Sequence, residues 1–206
     1  MISSKVPDII IARLPLYLRT LCEMEERGLH TTSSKELSDL VAVSAAQIRK
    51  DLSQFGEYGK QGTGYNISFL INQLRKILKV NRVWDVAVVG MGDMGHALAR
   101  YPGFVNRSFQ IVMLFDDDPQ KIGQQVNQLI IQPASEMASA IQRGGIKVAM
   151  LTVPASVAQR VTDTLVGAGV KAILNYAPII LNVPEDVNIR HIDPVTHLQW
   201  MTYYLD

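Results

Sequence analysis

The sequence predicts an α/β chain in which a small helical domain precedes a larger domain built on a parallel sheet. Three observations predict it. Apolar residues recur three or four apart through most of residues 1–80, the period of a helix. From Trp84 onward short apolar runs alternate with amphipathic stretches, as successive βαβ units require. Charge divides at the same place: residues 1–80 hold eleven Lys/Arg and eight Asp/Glu, whereas residues 81–206 hold nine and eleven. The domains are therefore placed at 1–80 and 81–192, with a last helix over 193–206. No internal repeat or low-complexity segment interrupts them.

Composition bounds the function. The chain has 206 residues, 48% hydrophobic and 19% charged, enough for a packed core and against disorder. Its net charge of +1 excludes a whole-protein polycation but not a local basic patch. A single cysteine, Cys22, excludes an internal disulfide framework and a cysteine-rich zinc site, and no metal is expected. No apolar run reaches the roughly 18–20 residues of a membrane span. With no secretory-type apolar run either, the expected compartment is the reducing cytoplasm.

Pro7 and Pro15 both stand where a helix can start. A helix is expected over residues 16–27, turning on Leu18, Leu21 and Met24 or Glu25, and ended by Gly28. Ser33 and Glu36 form a capping box, each side chain satisfying a free backbone N–H; the helix behind it should bury Leu37, Leu40 and Val41. Ser44 and Gln47 form a second box opening a helix over 45–53. There Ile48 and Leu52 face inward, while Gln47, Arg49 and Lys50 can face out. Two capped helices joined by about three residues fit a helix–turn–helix, the second helix reading base edges and phosphates. A plain corner of two helices fits them too.

The segment Gly56-Glu-Tyr-Gly59-Lys60-Gln-Gly62-Thr-Gly64-Tyr65 follows. Its glycines permit a tight hairpin with Lys60 at or near the tip, the wing of a winged helix. A phosphate-cradling loop would need a buried strand before it, and here a helix precedes it. A further helix should bury Leu70, Leu74, Ile77 and Leu78. Residues 44–82 carry seven basic groups against Asp51 and Glu57, a basic patch or an ordinary solvated face.

In the second domain strands are expected over 86–89, 111–115, 129–131, 148–153 and 172–174. Gly90-Met-Gly92-Asp-Met-Gly95 follows the first of them and opens a helix, the context in which G-x-G-x-x-G binds a dinucleotide. Gly90 makes the turn, Gly92 admits the pyrophosphate and Gly95 lets helix and strand pack closely. Such a site belongs to a Rossmann-like, doubly wound parallel sheet. Asp116 ends the second strand 26 residues after Gly90, where a carboxylate accepts from ribose hydroxyls and repels a 2′-phosphate. Asp117 and Asp118 extend the acid cluster, although Asp118 before Pro119 equally suits a turn or helix cap. A tight turn without ligand remains the competing reading. His96, one residue past the last glycine, faces cofactor or helix surface. None of His30, His96, His191 and His197 has a carboxylate partner in local sequence, so no catalytic residue is assigned.

These residues resemble the Rex redox-sensing transcriptional repressors of bacteria across essentially the whole chain. The motifs that carry the resemblance are Ile48-Arg-Lys-Asp-Leu-Ser53, Phe55-Gly-Glu-Tyr-Gly59 through Gly62-Thr-Gly-Tyr65, Val89-Gly-Met-Gly-Asp-Met-Gly95, Phe115-Asp-Asp-Asp-Pro119 and Asn175-Tyr-Ala-Pro178. The resemblance implies a non-enzymatic homodimer that binds palindromic double-stranded operator DNA and NADH or NAD+, and that NADH releases. It implies DNA contacts from Ser44, Ala46, Gln47, Arg49, Lys50 and Ser53, and from Tyr58, Lys60, Gln61 and Gly62 in the wing. It implies cofactor contacts from Gly90, Met91, Gly92, Asp93, Met94, Gly95, Asp116, Asp117, Thr152, Val153, Pro154, Asn175 and Tyr176. Tyr101 and Asp193 lie by the same resemblance near the nicotinamide, Asp193 able to exchange partners with Arg13. The C-terminal helix, opened by Asp193-Pro194 and striped with Val195, Leu198, Met201 and Tyr204 or Leu205, is exchanged between subunits in that family. Gln61 departs from it, since a basic residue is frequent at that wing position. An NAD-dependent oxidoreductase and a coenzyme A-binding domain are the competing readings. The oxidoreductase explains the glycine motif but not the capped helix pair, the wing or the basic window; against the coenzyme A-binding domain, read with a helical interaction module, stands Asp116, whose carboxylate suits a free ribose diol.

Overall fold

The computed structural model describes residues 6–60 and 64–205, so Gln61 and Gly62 of the expected wing lie outside the described residues. The chain divides into two compact units at the Arg82–Val83 bond.

In the first unit α1 (Asp8–Glu26) begins directly after Pro7. Pro15 does not start it but stands inside it, against expectation. A proline in a helix interior costs about 3 kcal/mol. Burial of Ile10, Leu14, Tyr17, Leu21 and Met24 along one face offsets that cost. After β1 (Thr31–Thr32), α2 (Ser34–Leu40) opens on the complete Ser33–Glu36 capping box. It buries Leu37, and Val41 just beyond it, but leaves Leu40 54% exposed. With only seven residues it presents a narrow stripe to the core, which Leu37 and Val41 fill without Leu40.

Helix α3 (Ala45–Ser53) buries Ile48 and Leu52. Ser44 Oγ accepts from the Gln47 N–H at 3.3 Å. The returning half of that box is not made, because the Gln47 amide donates to Asp51 instead, at 2.6 Å. Strands β2 (Gly59–Lys60) and β3 (Gly64–Asn66) pair antiparallel as a wing, and β3 pairs again with β1. Asn66 caps α4 (Ile67–Ile77), which buries Ile67, Leu70, Ile71 and Leu74 and half-buries Ile77.

The second unit contains β4 (Trp84–Val89), α5 (Asp93–Arg100), β5 (Phe109–Asp116), β6 (Gln125–Val126), β7 (Leu129–Pro133), α6 (Met137–Gly144), β8 (Val148–Leu151), α7 (Ala155–Gly167), β9 (Ala172–Asn175), β10 (Asn188–His191) and α8 (Pro194–Thr202). The strand order is β10-β9-β8-β4-β5-β7-β6, parallel throughout except for β6. Alternate residues of β4 serve opposite faces. Val86 and Val88 pack with Leu114 and Met150, while Ala87 and Val89 pack with Phe115, Ile141 and Leu165. A strand covered on both faces reads as an unbroken apolar run, as this one does. Strand β8 stops at Leu151, two residues short of expectation, where the Thr152 hydroxyl bonds the carbonyls of Val89, at the end of β4, and of Gly90. Every residue of α8 is exposed.

Candidate functional site

The strand order reverses between β4 and β8, since the chain runs outward to β5 on one side and to β9 on the other. The crevice at such a point, beyond the carboxyl ends of the strands, is where open parallel sheets bind ligands. Gly90 leaves β4 with φ +95°, and Thr152 leaves β8 beside it. Thr152 Oγ1 donates to the Gly90 carbonyl at 2.6 Å, closing the crevice floor. A Cβ on Gly95 would lie 2.0 Å from that same carbonyl, so α5 packs at a distance only glycine allows.

Gly92 is the N-cap of α5, and no side chain caps the helix there. A Cβ on Gly92 would meet no atom within 4 Å. The N-terminal end of α5, with its free N–H groups and positive dipole end, therefore opens on space, which suits an anion. That space is a cavity of about 640 Å³ lined by Gly90, Gly92, Asp116, Asp117, Thr152, Val153 and Pro154 among others.

Asp116 is 6% exposed. Its Oδ2 accepts from the Met91 N–H at 2.6 Å and from Lys121 Nζ at 3.3 Å; its Oδ1 accepts from the Asp118 N–H at 2.8 Å. Burial alone raises this carboxyl's pKa, but the backbone donors of Asp118 and Met91, with Lys121, outweigh it and hold the group below the ordinary carboxylate range. Asp116 thus spends much of its bonding capacity on the turn around the cavity. Asp117 is exposed and lines the same cavity. Asp118 accepts from the Gln120 N–H and makes a turn, with no helix after Pro119.

The other residues named from sequence distribute unevenly. The Met91 side chain is wholly buried in the core, and only its N–H faces Asp116. Asp93 and Met94 are exposed on the first turn of α5. The buried Asn175 amide holds the turn that follows β9, bonded to Ala177, Ile179 and His191, and Tyr176 is half-buried. Tyr101 is 50% exposed with its ring edge-on to Phe104. Asp193 caps α8, accepting from the Val195 N–H and the Thr196 hydroxyl. None of Asn175, Tyr176, Tyr101 and Asp193 lines the crevice cavity. Lys121 and Arg160 do line it and went unnamed from sequence. Lys121 had a signal, five residues after Asp116. Arg160 had none, because α7 meets the crevice only through the fold.

On the first unit Ser44, Ala46, Arg49, Lys50 and Ser53 form the exposed face of α3. Arg49 Nη1 donates to Ser34 Oγ at 2.8 Å. Gln47 is half-buried, its amide turned inward to Asp51, and so does not share that face as the sequence suggested. An open groove of about 900 Å³ runs between α3, the start of α2 and the wing, lined by Arg49, Ser53, Tyr58, Gly59 and Gly64 among others. The Tyr58 hydroxyl is spent on the Phe55 carbonyl at 2.8 Å.

Residues 5–53 match the family described as putative DNA-binding protein N-terminus, and residues 81–179 match the CoA binding domain family. Over 203 residues the chain is 53% identical to the redox-sensing transcriptional repressor Rex of Chloroflexus aggregans, covering 98% of this chain and 96% of that one. The chain belongs to the Rex family. The Rex of Thermus thermophilus is 45% identical over 97% of this chain and 93% of its own. Among solved structures, RSP in complex with β-NAD+ and operator DNA aligns with a TM-score of 0.93 at 36% identity, over 98% of this chain and 93% of that one. RSP, a Rex-family repressor, also aligns in complex with β-NADH, with a TM-score of 0.89.

Proposed function

We propose that this Rex-family chain is a transcriptional repressor that reports the NADH/NAD+ ratio, bound to operator DNA without cofactor or with NAD+, and released by NADH. The observation that carries this reading is one chain holding both parts. The first unit presents Arg49 and Lys50 on an exposed helix beside a wing. The second presents an uncapped, glycine-opened helix end facing a cavity that also holds Asp117. RSP, its relative, is known in complex with β-NAD+ and operator DNA together, and separately with β-NADH.

The residues fit a dinucleotide. The first-turn N–H groups of α5 would hold the pyrophosphate, Gly92 giving it room. Asp117, with Asp116 behind it, would accept from the adenosine ribose hydroxyls and disfavour NADPH. That carboxylate pair suits a free ribose diol better than the phosphorylated ribose of coenzyme A. The Thr152, Val153 and Pro154 segment forms another wall, Asn175 and Tyr176 are assigned to the cofactor, and Tyr101 and Asp193 to its nicotinamide end, by family resemblance. The bound cofactor supplies a redox state to be sensed. The chain itself binds and excludes, without transferring hydride.

The partner set is double-stranded operator DNA and a second copy of the chain. Exposed Val195, Leu198 and Met201 on α8 support a homodimer in which this helix is covered by the other subunit. The expected setting is the cytoplasm, with no metal. Among the described residues no helix is long and apolar enough to cross a membrane.

The test is a gel shift on an operator palindrome selected by the protein itself, with NADH or NAD+ added. Release by NADH and retention with NAD+ is the expected result. Hydride transfer to aldehydes with no DNA binding would favour an oxidoreductase.

A further inference from the structure

Asp51 lies on α3, and its side chain is completely buried. A buried carboxylate is costly unless donors surround it. Four donors do. Arg13 Nε reaches Oδ2 at 2.6 Å and Arg13 Nη2 reaches Oδ1 at 2.7 Å, a two-pronged ion pair. The Tyr17 hydroxyl donates to Oδ2 at 2.7 Å, and Gln47 Nε2 donates to Oδ1 at 2.6 Å. Each oxygen accepts two bonds. Arg13 and Tyr17 stand one turn apart on α1, and Gln47 stands one turn before Asp51 on α3.

Apolar packing through Ile48 and Leu52 holds α3 against the core, but apolar contact has little directional preference. A bidentate Arg–carboxylate pair is directional. Successive residues of a helix step round the axis by about 100°. Arg49, two residues before Asp51, therefore points nearly opposite to it, and Lys50 points sideways. Gln47, four residues before, shares Asp51's face. Turning Asp51 inward thus turns Gln47 inward and Arg49 outward together, as observed.

We propose that Arg13 and Tyr17, acting through Asp51, are positioning residues for operator recognition. They set the rotation of α3 about its own axis, and with it the side chains offered to the bases. None of the three is assigned a contact to DNA. Arg13 contributes direction as well as charge, so lysine is no substitute. The proposal rests on the reading of α3 as the recognition helix.

The experiment uses the full chain and its Tyr17→Phe, Arg13→Lys and Asp51→Asn variants. Two duplexes of equal length are titrated at one salt concentration: the operator selected from a random pool by the native chain, and a scrambled duplex. Thermal melting and NADH binding are measured alongside. Tyr17→Phe removes one hydroxyl and keeps the packing, so it stays interpretable if Asp51→Asn fails to fold. Each folded variant is expected to lose about tenfold in operator affinity while keeping scrambled-duplex affinity within about twofold. NADH binding by Tyr17→Phe is expected to be unchanged. A merely structural role would leave the operator-to-scrambled ratio at its native value. That result, with a native chain that does discriminate, overturns the proposal alone. A native chain that selects no duplex overturns the DNA reading of α3 and this proposal with it.

Discussion

The backbone N–H of Met91 donates to Asp116 Oδ2 at 2.6 Å, tying the glycine-rich turn after β4 to the end of β5. One carboxylate thereby shapes the rim of the crevice cavity from beneath, while its neighbour Asp117 faces the cavity. The two acids have different consequences when removed.

Asp116→Ala is expected to strand the Met91 and Asp118 N–H groups and destabilise the second unit by about 1–3 kcal/mol. NADH and NADPH should both bind more weakly. Asp117→Ala should leave stability nearly native and narrow the preference for NADH over NADPH. Calorimetric melting together with isothermal titration of both nucleotides checks this. An Asp117→Ala variant with undiminished selectivity contradicts the assignment.

Gly92 and Gly95 form a second contrast. Gly92 has open space beside it, so Gly92→Ala should fold normally yet lose NADH affinity, its methyl group standing where the pyrophosphate approaches. Gly95→Ala forces a Cβ to within 2.0 Å of the Gly90 carbonyl. It should lower stability by at least about 1–3 kcal/mol as well as binding. Melting curves set beside NADH titrations separate the two.

Acid should weaken both units. Burial raises the Asp51 carboxyl's pKa, but bonds from Arg13, Tyr17 and Gln47 reverse the balance and hold it below its ordinary value. Asp116 is likewise depressed. A depressed carboxyl adds stability that is present above its unfolded pKa of about 3.9 and is lost as pH falls through the folded value. Tyr17 is raised, by burial first and then by Asp51. Its contribution is complete below the unfolded tyrosine value of about 10 and declines as pH climbs toward the folded value. Stability from these groups should be level from about pH 5 to 9 and fall at both ends. Asp51→Asn should flatten the acid limb, as read from melting temperatures across pH.

On α3, Arg49→Ala and Lys50→Ala should each weaken operator binding. A base-reading arginine should cost about 1–3 kcal/mol and relax preference at one operator position. A phosphate-binding lysine should weaken all duplexes alike and lower the salt slope by about one. Unchanged operator affinity in both variants contradicts the role given to this helix.

What could be read from sequence was local chemistry at fixed spacing. The Ser33–Glu36 box, the Gly90-x-Gly92-x-x-Gly95 turn and the Asp193 cap each depend on neighbours along the chain, and each is present. What escaped depends on tertiary partners. Pro15 sits inside a helix because the residues around it are buried. Gln47 abandons its capping role because Asp51, one turn on, needs a fourth donor. Met91 points into the core, although its motif position suggested cofactor. Strand β10 was missed because Asn188-Ile-Arg-His191 is a polar edge strand with one apolar residue. Arg160 reaches the crevice only through the packing of α7.

Cofactor and operator are expected to report to each other. A ligand shifts an equilibrium only by its differential affinity for the two states, and that coupling is reciprocal. NADH must favour an arrangement of the protein that operator DNA disfavours. Asp193→Ala and Tyr101→Phe should keep DNA binding while weakening release by NADH. The most direct measurement is NADH affinity of the native protein with and without saturating operator. Operator is expected to weaken NADH binding by the same factor by which NADH weakens operator binding. Equal NADH affinity in both conditions would contradict it, leaving two binding units on one chain with no coupling between them.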